Sequence, residues 1–383
     1  MNRNQERLYD EYNRNLSLLK NSTLIILYGK TQMASLIRQI IEELEVVCNI
    51  LTYDKNSKDS SCIHDIGDIR ATCIIICGLS KKTRDSMLED IKQIAGDSSQ
   101  ERCIDFFSLY YVWSINHRKR GCDPEEFAQT IIRSKDEDNI ILNIDCINTS
   151  YCNLKCKECS NGMQIREDRK FLSPKNVVSD VKKITALYPI EYVNIQGGEP
   201  LIDNNLPEII YGLAKNPRIA FLTLATNGSV IPQNDEVFEA LSNTGVIIRI
   251  SDYGGISNKK DELKRIAVKN GIPCDTYERA SSWVVYGHYE KHNRSIESNK
   301  DISYKCFFGR KDLMMYDGYL YCCCRSLFGN ALGSEDEAIR LNRVDLNVVT
   351  KSKLMDIVEG VNLHLMCDYC DWPMKSVIPA EQL

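Results

Sequence analysis

Residues 142–160 read LNIDCINTSYCNLKCKECS. The stretch opens on a short apolar strand, Leu142–Ile147, then breaks into a polar loop carrying Cys152, Cys156 and Cys159 in a C-x3-C-x2-C spacing. Soft thiolates select zinc or iron–sulfur clusters. Three closely spaced thiolates can each take one iron of a cubane and leave the fourth iron without a protein ligand. A structural zinc site would need a fourth ligand from elsewhere. The spacing alone leaves both readings open.

Downstream of the loop one pattern repeats. Ser173-Pro174 starts a helix, with Ser as N-cap and Pro at the first helical position. Val177, Val178, Val181, Ile184 and Leu187 then fall on one face. Strands at Tyr192–Ile195, Phe221–Leu224, Val246–Ile250 and Cys274–Tyr277 alternate with helices at Leu206–Lys215, Asp235–Asn243 and Lys260–Asn270. This run of βα units predicts a partial (β/α)6 barrel over residues 140–300, with functional residues at the C-terminal ends of its strands. Those ends carry Gln196-Gly197-Gly198-Glu199-Pro200, Thr226-Asn227-Gly228 and Arg249-Ile250-Ser251-Asp252-Tyr253-Gly254. Paired glycines let a ligand approach the backbone, and Glu199 brings a carboxylate to the same face. Any one of these motifs reads as a plain turn. Together with the cysteine loop, at successive strand ends, they predict one assembled site.

Upstream, strands at Leu24–Tyr28, Val46–Thr52 and Thr72–Cys77 alternate with helices at Gln32–Leu44 and Lys81–Ala95, which implies a parallel sheet over residues 1–135. Tyr28-Gly29-Lys30-Thr31 sits at a strand-to-helix turn. A P-loop would need glycine where Leu24 stands. A dinucleotide fingerprint starting at Gly29 has Thr31 and Ala34 at its second and third glycine positions, although Asp54 stands where a ribose-binding acid would be. The expectation is a Rossmann-like domain whose cofactor binding is lost. The charged stretch Arg133–Asn139 reads as a linker.

Composition narrows the partners. The 383 residues are 43% hydrophobic and 26% charged with net charge −5, which gives no global signature of a nucleic-acid partner. The longest apolar runs are too short to cross a bilayer, and no secretory leader is read, so a cytoplasmic protein without a membrane partner is expected. In that compartment, seventeen cysteines point to metal or cluster binding over a disulfide framework.

The region from Leu142 to Tyr277 resembles the radical S-adenosylmethionine (SAM) superfamily, on the C-x3-C-x2-C loop after the first strand and the GGEP stretch after the second. The resemblance implies a [4Fe–4S] cluster on Cys152, Cys156 and Cys159, with S-adenosyl-L-methionine on the open iron. Gly197, Gly198, Glu199 and Pro200 would inherit the contact to its amino group. Asn227 and Ser251 would inherit those to its carboxylate and ribose. It also implies a 5′-deoxyadenosyl radical that abstracts a substrate hydrogen, and a flavodoxin or ferredoxin-like electron donor. One departure is Glu158, where many members carry an aromatic near the adenine.

Residues 301–383 form a small Cys-rich third segment holding Cys306, the run Cys322-Cys323-Cys324 and the pair Cys367-x2-Cys370. It resembles the Twitch form of the SPASM extension, which implies an auxiliary [4Fe–4S] cluster. Counting from Asp317-Gly318 as that family does places the middle ligand at Cys323 and gives the set Cys306, Cys323, Cys367 and Cys370. The triple cysteine leaves that assignment ambiguous by one place, and four thiolates suit zinc as well. Several motifs resemble radical SAM enzymes of sugar pathways. The expected substrate is therefore a carbohydrate, cyclitol or nucleotide sugar that is oxidised, epimerised or dehydrated. Cys324 and Cys274 are the candidate hydrogen donors of an epimerase. Two alternatives stand beside this reading: a peptide- or protein-modifying maturase, and a non-catalytic iron–sulfur or zinc-binding protein.

Overall fold

A computed structural model describes residues 1–29, 32–54, 71–78, 80–116, 121–137, 141–278, 283–306, 308–309 and 312–383. The chain is mixed α/β, built on a four-stranded and an eight-stranded sheet.

The N-terminal part runs α1 (Arg3–Lys20), β1 (Leu24–Tyr28), α2 (Gln32–Glu43), β2 (Asn49–Tyr53), β3 (Thr72–Ile76), α3 (Lys81–Ala95), β4 (Cys103–Asp105), α4 (Phe107–Asn116) and α5 (Pro124–Asp136). Its strands are all parallel, in the order β2-β1-β3-β4. That is the flavodoxin-like order of a doubly wound sheet, not the 3-2-1-4 dinucleotide order. Ligands of such sheets enter beyond the carboxyl ends of β1 and β3. Met87 of α3 lies against both strand ends: a Cβ added at Gly29 or at Gly78 would come within 3.0 Å of its side chain. Lys30 and Thr31 of the sequence motif lie outside the described residues.

Two helices here lie where the sequence reading placed no element, and a third replaces part of the expected linker. The polar N-terminus forms α1, closed by a capping box in which Asn2 and Gln5 exchange side-chain and backbone hydrogen bonds. The apolar run in α4 is buried on all sides. Arg133–Asp136 belongs to the last turn of α5, not to a linker. Its charges are held: Lys135 pairs with Glu11 at 2.5 Å and with Asp105 at 2.9 Å.

The second part continues β5 (Ile141–Ile147), α6 (Pro174–Leu187), β6 (Ile190–Gln196), α7 (Leu206–Ala214), β7 (Ile219–Thr226), α8 (Glu236–Thr244), β8 (Ile247–Asp252), α9 (Lys260–Lys269) and β9 (Cys274–Glu278). Ser173 and Pro174 stand at the N-cap and first turn of α6, as the sequence predicts. The remainder is β10 (Val284–Val285), α10 (Ile296–Lys305), β11 (Leu313–Tyr316), β12 (Tyr319–Tyr321), α11 (Cys324–Ala331), α12 (Glu337–Leu341), β13 (Arg343–Asp345), α13 (Lys351–Val358), α14 (Leu363–Cys367) and β14 (Lys375–Ser376).

Strands β5 to β9 lie side by side and parallel, each followed by a crossover. The sixth parallel strand of the expected barrel does not follow β9. It is β11, which adds to the opposite edge, parallel to β5, and carries β12 and β13 with it in antiparallel pairing. The hairpin is made by Asp317 and Gly318, both at positive φ (48° and 82°), the backbone of a two-residue turn whose twist matches the strands. The apolar side chains facing α6–α9 form the main core, and β11–β13 extend it.

Candidate functional site

The cysteine loop is closed at its base. Ser150 and Lys170 exchange hydrogen bonds, Leu172 N–H donates to Asn148 O at 2.9 Å, and Thr149 bridges Phe171. The loop is then bound to the end of β6. Gly198 N–H donates to Thr149 O at 2.8 Å and Glu199 N–H to Tyr151 O at 2.9 Å. This contact explains the paired glycines. A Cβ at Gly197 would lie 2.4 Å from Thr149 O, and one at Gly198 only 1.9 Å from Tyr151 O. Their bare faces admit the backbone of the cysteine loop.

Glu199 is fully buried. Its carboxylate accepts hydrogen bonds from Leu201 N–H (3.1 Å), Thr226 Oγ1 (2.8 Å) and Asn227 N–H (2.8 Å). Burial pushes its carboxyl up to about 7 against those three donors. The side chain thus braces the ends of β6 and β7 together. Pro200 opens the short helical turn that follows, buried beside it. Asn227 Nδ2 donates to Asn153 Oδ1 at 3.0 Å, and Asn153 Nδ2 donates to Ser229 Oγ at 2.8 Å, so the β7 end also grips the cysteine loop. Ser257, buried and without any sequence signal, donates to the carbonyls of Asn227 (2.7 Å) and Ser251 (2.9 Å) and so joins β7 to β8. The structure therefore brings Cys152, Cys156, Cys159, Gly197, Gly198, Glu199, Pro200, Asn227 and Ser251 to adjacent strand ends of one sheet.

The three loop thiols are free and half-buried. Burial pushes Cys152 up to about 12, opposed by Leu154 N–H at 3.4 Å from its sulfur and reinforced by Glu199 and the other two thiols. Cys156 and Cys159 move up for the same first reason. Among the described residues no three Cys, His, Asp or Glu side chains gather as ligands of a single metal ion. Beside Glu158 the structure supplies an aromatic from elsewhere: Trp283 Nε1 donates to Glu158 O at 3.1 Å, and its ring meets Tyr253 edge-on at 5.1 Å.

Along the inner face of the sheet, next to these strand ends, runs a polar layer. Asp145, Asn194 and Thr223 are neighbours across β5, β6 and β7, with Asn194 donating to Asp145 at 2.8 Å and accepting from Thr223 at 2.9 Å. Arg249 and Asp275 pair across β8 and β9. Arg249 Nε has no hydrogen-bond partner among the described residues. Burial, and then Asp312, push Asp145 up to about 7. Asp145 still keeps some exposure.

A second cavity is lined by Cys306, Cys323, Cys324, Cys367 and Cys370, with Tyr286 and Trp372 among its walls. Cys322 faces away. Its sulfur is fully buried, 3.1 Å from Asn342 Oδ1 and 3.3 Å from Ser326 Oγ. The middle position of the triple cysteine is the one whose thiol is drawn down, first by the Cys322 thiol and then, against burial, by donors at the start of α11. Burial pushes Cys370 up to about 12, with Cys323 and Cys306 adding to the rise. Cys324 shares this cavity with Tyr286. Cys274 is not in either site; it packs from β9 against the main apolar core.

Residues 147–251 match the Radical SAM superfamily model, and this segment is a Radical SAM domain. The probable GTP 3′,8-cyclase of Methanococcus aeolicus is 35% identical over 85 residues, 22% of this chain and 28% of that protein. The GTP 3′,8-cyclase of Aquifex aeolicus is 33% identical over 136 residues, 34% of this chain and 41% of that protein. The chain thus spans less than half the length of these curated relatives. Among solved structures, BtrN in complex with AdoMet and 2-DOIA aligns with a TM-score of 0.42 and 14% identity, over 63% of this chain and 97% of that one. The tagged anSMEcpe with bound AdoMet aligns with a TM-score of 0.38 and 15% identity, over 57% of this chain and 81% of that one. No helix among the described residues is long and apolar enough to cross a membrane.

Proposed function

We propose that the chain is a radical SAM enzyme acting on a carbohydrate, cyclitol or nucleotide-sugar substrate. The observation that carries the reading is the bracing of the cysteine loop by motifs from successive strand ends, through Gly198, Glu199 and Asn227. Three free thiols on a half-exposed loop fit a [4Fe–4S] cluster with one open iron. Cys152, Cys156 and Cys159 would hold it. When bound with SAM, such a cluster supplies one-electron cleavage of the S–C5′ bond and a radical that takes a hydrogen atom from the substrate.

The chain's own residues would do the positioning. The backbone around Gly197 and Gly198 and the side chains of Asn227 and Ser251 would contact SAM, while Glu199 keeps these strand ends in register. Tyr253 and Trp283 offer the aromatic surface that the position of Glu158 lacks. The polar layer of Asp145, Asn194, Thr223, Arg249 and Asp275 alternates acceptors and donors, which suits a ligand rich in hydroxyl or amino groups. In the second cavity Cys306, Cys323, Cys367 and Cys370 would hold an auxiliary [4Fe–4S] cluster. It would take the second electron if the reaction is an oxidation. A flavodoxin or ferredoxin-like protein is the proposed electron donor.

Anaerobic reconstitution followed by incubation with SAM and dithionite tests the reading. About eight irons per chain and release of 5′-deoxyadenosine are expected. Zinc in place of iron with intact SAM would refute it. Screening polyols and amino sugars against peptides, with 5′-deoxyadenosine release as the readout, then separates the sugar reading from a peptide maturase.

A further inference from the structure

The last residues of the chain cross the cysteine loop. Ala380 takes the left-handed backbone (φ 53°), rare for a residue with a Cβ, and turns the following residues against Lys155–Lys157. Lys157 N–H donates to Glu381 O at 2.7 Å and Leu383 N–H to Lys155 O at 2.9 Å, with Cys156 and Gln382 paired as an antiparallel bridge. The Gln382 carboxamide is fixed by its oxygen, which accepts from Lys155 N–H at 2.7 Å. Its nitrogen donates to Ala380 O at 2.5 Å and lies 3.5 Å from Cys156 Sγ. A side chain anchored at one end and aimed at a sulfur with the other is placed to act on that sulfur.

We propose that Gln382 sets the electronic state of the metal group on the cysteine loop by donating to Cys156. The proposal rests on the reading of Cys152, Cys156 and Cys159 as cluster ligands. A thiolate is a stronger acceptor than a thiol, so the contact tightens once Cys156 is deprotonated and metal-bound. A hydrogen bond to a ligating sulfur withdraws electron density and favours the reduced, more negative cluster. Gln382 is therefore a positioning residue that makes the cluster easier to reduce. The backbone bridge of residues 381–383 fixes the donor and covers the outer side of Lys155–Lys157.

The test uses the full chain, reconstituted anaerobically, as parent, Gln382→Met, Gln382→Glu and Glu381→Ala. Gln382→Met removes the donor with little change of size. Gln382→Glu keeps the acceptor for Lys155 N–H, removes the donor and adds a negative charge, so Gln382→Met isolates the hydrogen bond and Gln382→Glu sets the larger shift. Glu381→Ala loses the rim pair with Lys157 and leaves the Gln382 amide in place. The cluster is followed by electron paramagnetic resonance during reductive titration, and the SAM-responsive signal reports the cysteine-loop cluster. Both Gln382 variants should titrate at a more negative potential than the parent and bleach faster in air, while Glu381→Ala follows the parent. Gln382 variants that titrate at the parent's potential overturn the proposal, even if they hold iron less firmly. A parent chain with no SAM-responsive iron signal refutes the underlying reading, and is told apart by that absence.

Discussion

Gly198 shows how one missing side chain shapes the candidate site. A Cβ there would meet the carbonyl carbon and oxygen of Tyr151 at 2.4 and 1.9 Å, both backbone atoms that cannot swing aside. Gly198→Ala must therefore open the ladder that ties the cysteine loop to β6. Its expected cost is about 1–3 kcal/mol, the range for forcing extra atoms into a packed interior. Iron bound at the cysteine loop should fall with the melting temperature, and a variant with the parent's melting point and iron content would disprove the packing argument. Asp145 gives a pH-dependent counterpart. Its carboxyl is pushed up to about 7 in the folded chain, against a usual value of about 3.9. Between those values the folded chain keeps a proton that the unfolded chain has lost. The stability this contributes is complete below pH ~4 and is lost as pH rises through ~7. Asp145→Asn should therefore be more stable than the parent at pH 8 and nearly equal at pH 4. At roughly 1.4 kcal/mol per pH unit the ceiling is about 4 kcal/mol, lowered by the residue's partial exposure. Glu199 is shifted in the same sense, so the informative quantity is the difference between variant and parent in denaturant titrations at the two pH values. Residues whose meaning lies in local spacing, such as the three loop cysteines and the glycine pair, were legible in the sequence. Ser257, Trp283 and Gln382 were not, because a lone Ser, Trp or Gln gains its role only from what the fold places beside it.

At the scale of elements, the alternation from β1 to β9 could be read because short apolar strands and one-sided helices have different periods. The errors have physical causes. Helix α4 is apolar all round because it is buried all round, so it offers no stripe to recognise. The end of α5 looked like a linker because its last turn is charged, yet those charges serve the fold: Lys135 reaches Glu11 of α1 and Asp105 of β4, and Arg133 pairs with Glu137 at 3.2 Å. Helix α1 is mostly polar, and only Leu8 and Leu19 among its apolar residues are fully buried. The β11–β12 hairpin shows a different limit. Its Asp317-Gly318 turn is local, but its docking beside β5 pairs residues about 170 positions apart, as Leu313 with Ile144 shows, and no local pattern encodes that. The pairing matters for the site, since it brings the segment after β12, with Cys323 and Cys324, to the same sheet as the cysteine loop.

Taken as a whole, the molecule does not divide where its sequence changes character. The N-terminal core of α1, α2, α4 and α5 continues without a break into Tyr192, Ala220, Phe221 and Ile247, at the starts of β6, β7 and β8. Phe221 lies among Phe106, Phe107, Tyr110 and Tyr192 in tilted contacts, with ring centroids between 4.8 and 6.2 Å. Polar contacts stitch the same seam: Tyr110 O–H donates to Ala220 O at 3.0 Å, and Gln39 Nε2 to Gly271 O at 2.7 Å. The N-terminal part thus closes the end of the sheet opposite the cysteine loop. Support of these strand starts is the contribution that the packing shows for the N-terminal part. Truncating Phe221 to alanine should cost about 3–5 kcal/mol, as for other buried aromatics. A chain beginning at residue 140 should fare worse, because it bares Tyr192, Phe221 and Ile247 together as one apolar patch. It is expected to aggregate or bind little iron on reconstitution, whereas the full chain holds both sites. If the shortened chain were instead monomeric by light scattering and took up iron like the parent, the N-terminal part would have to be a separable module, with a role other than supporting the barrel floor.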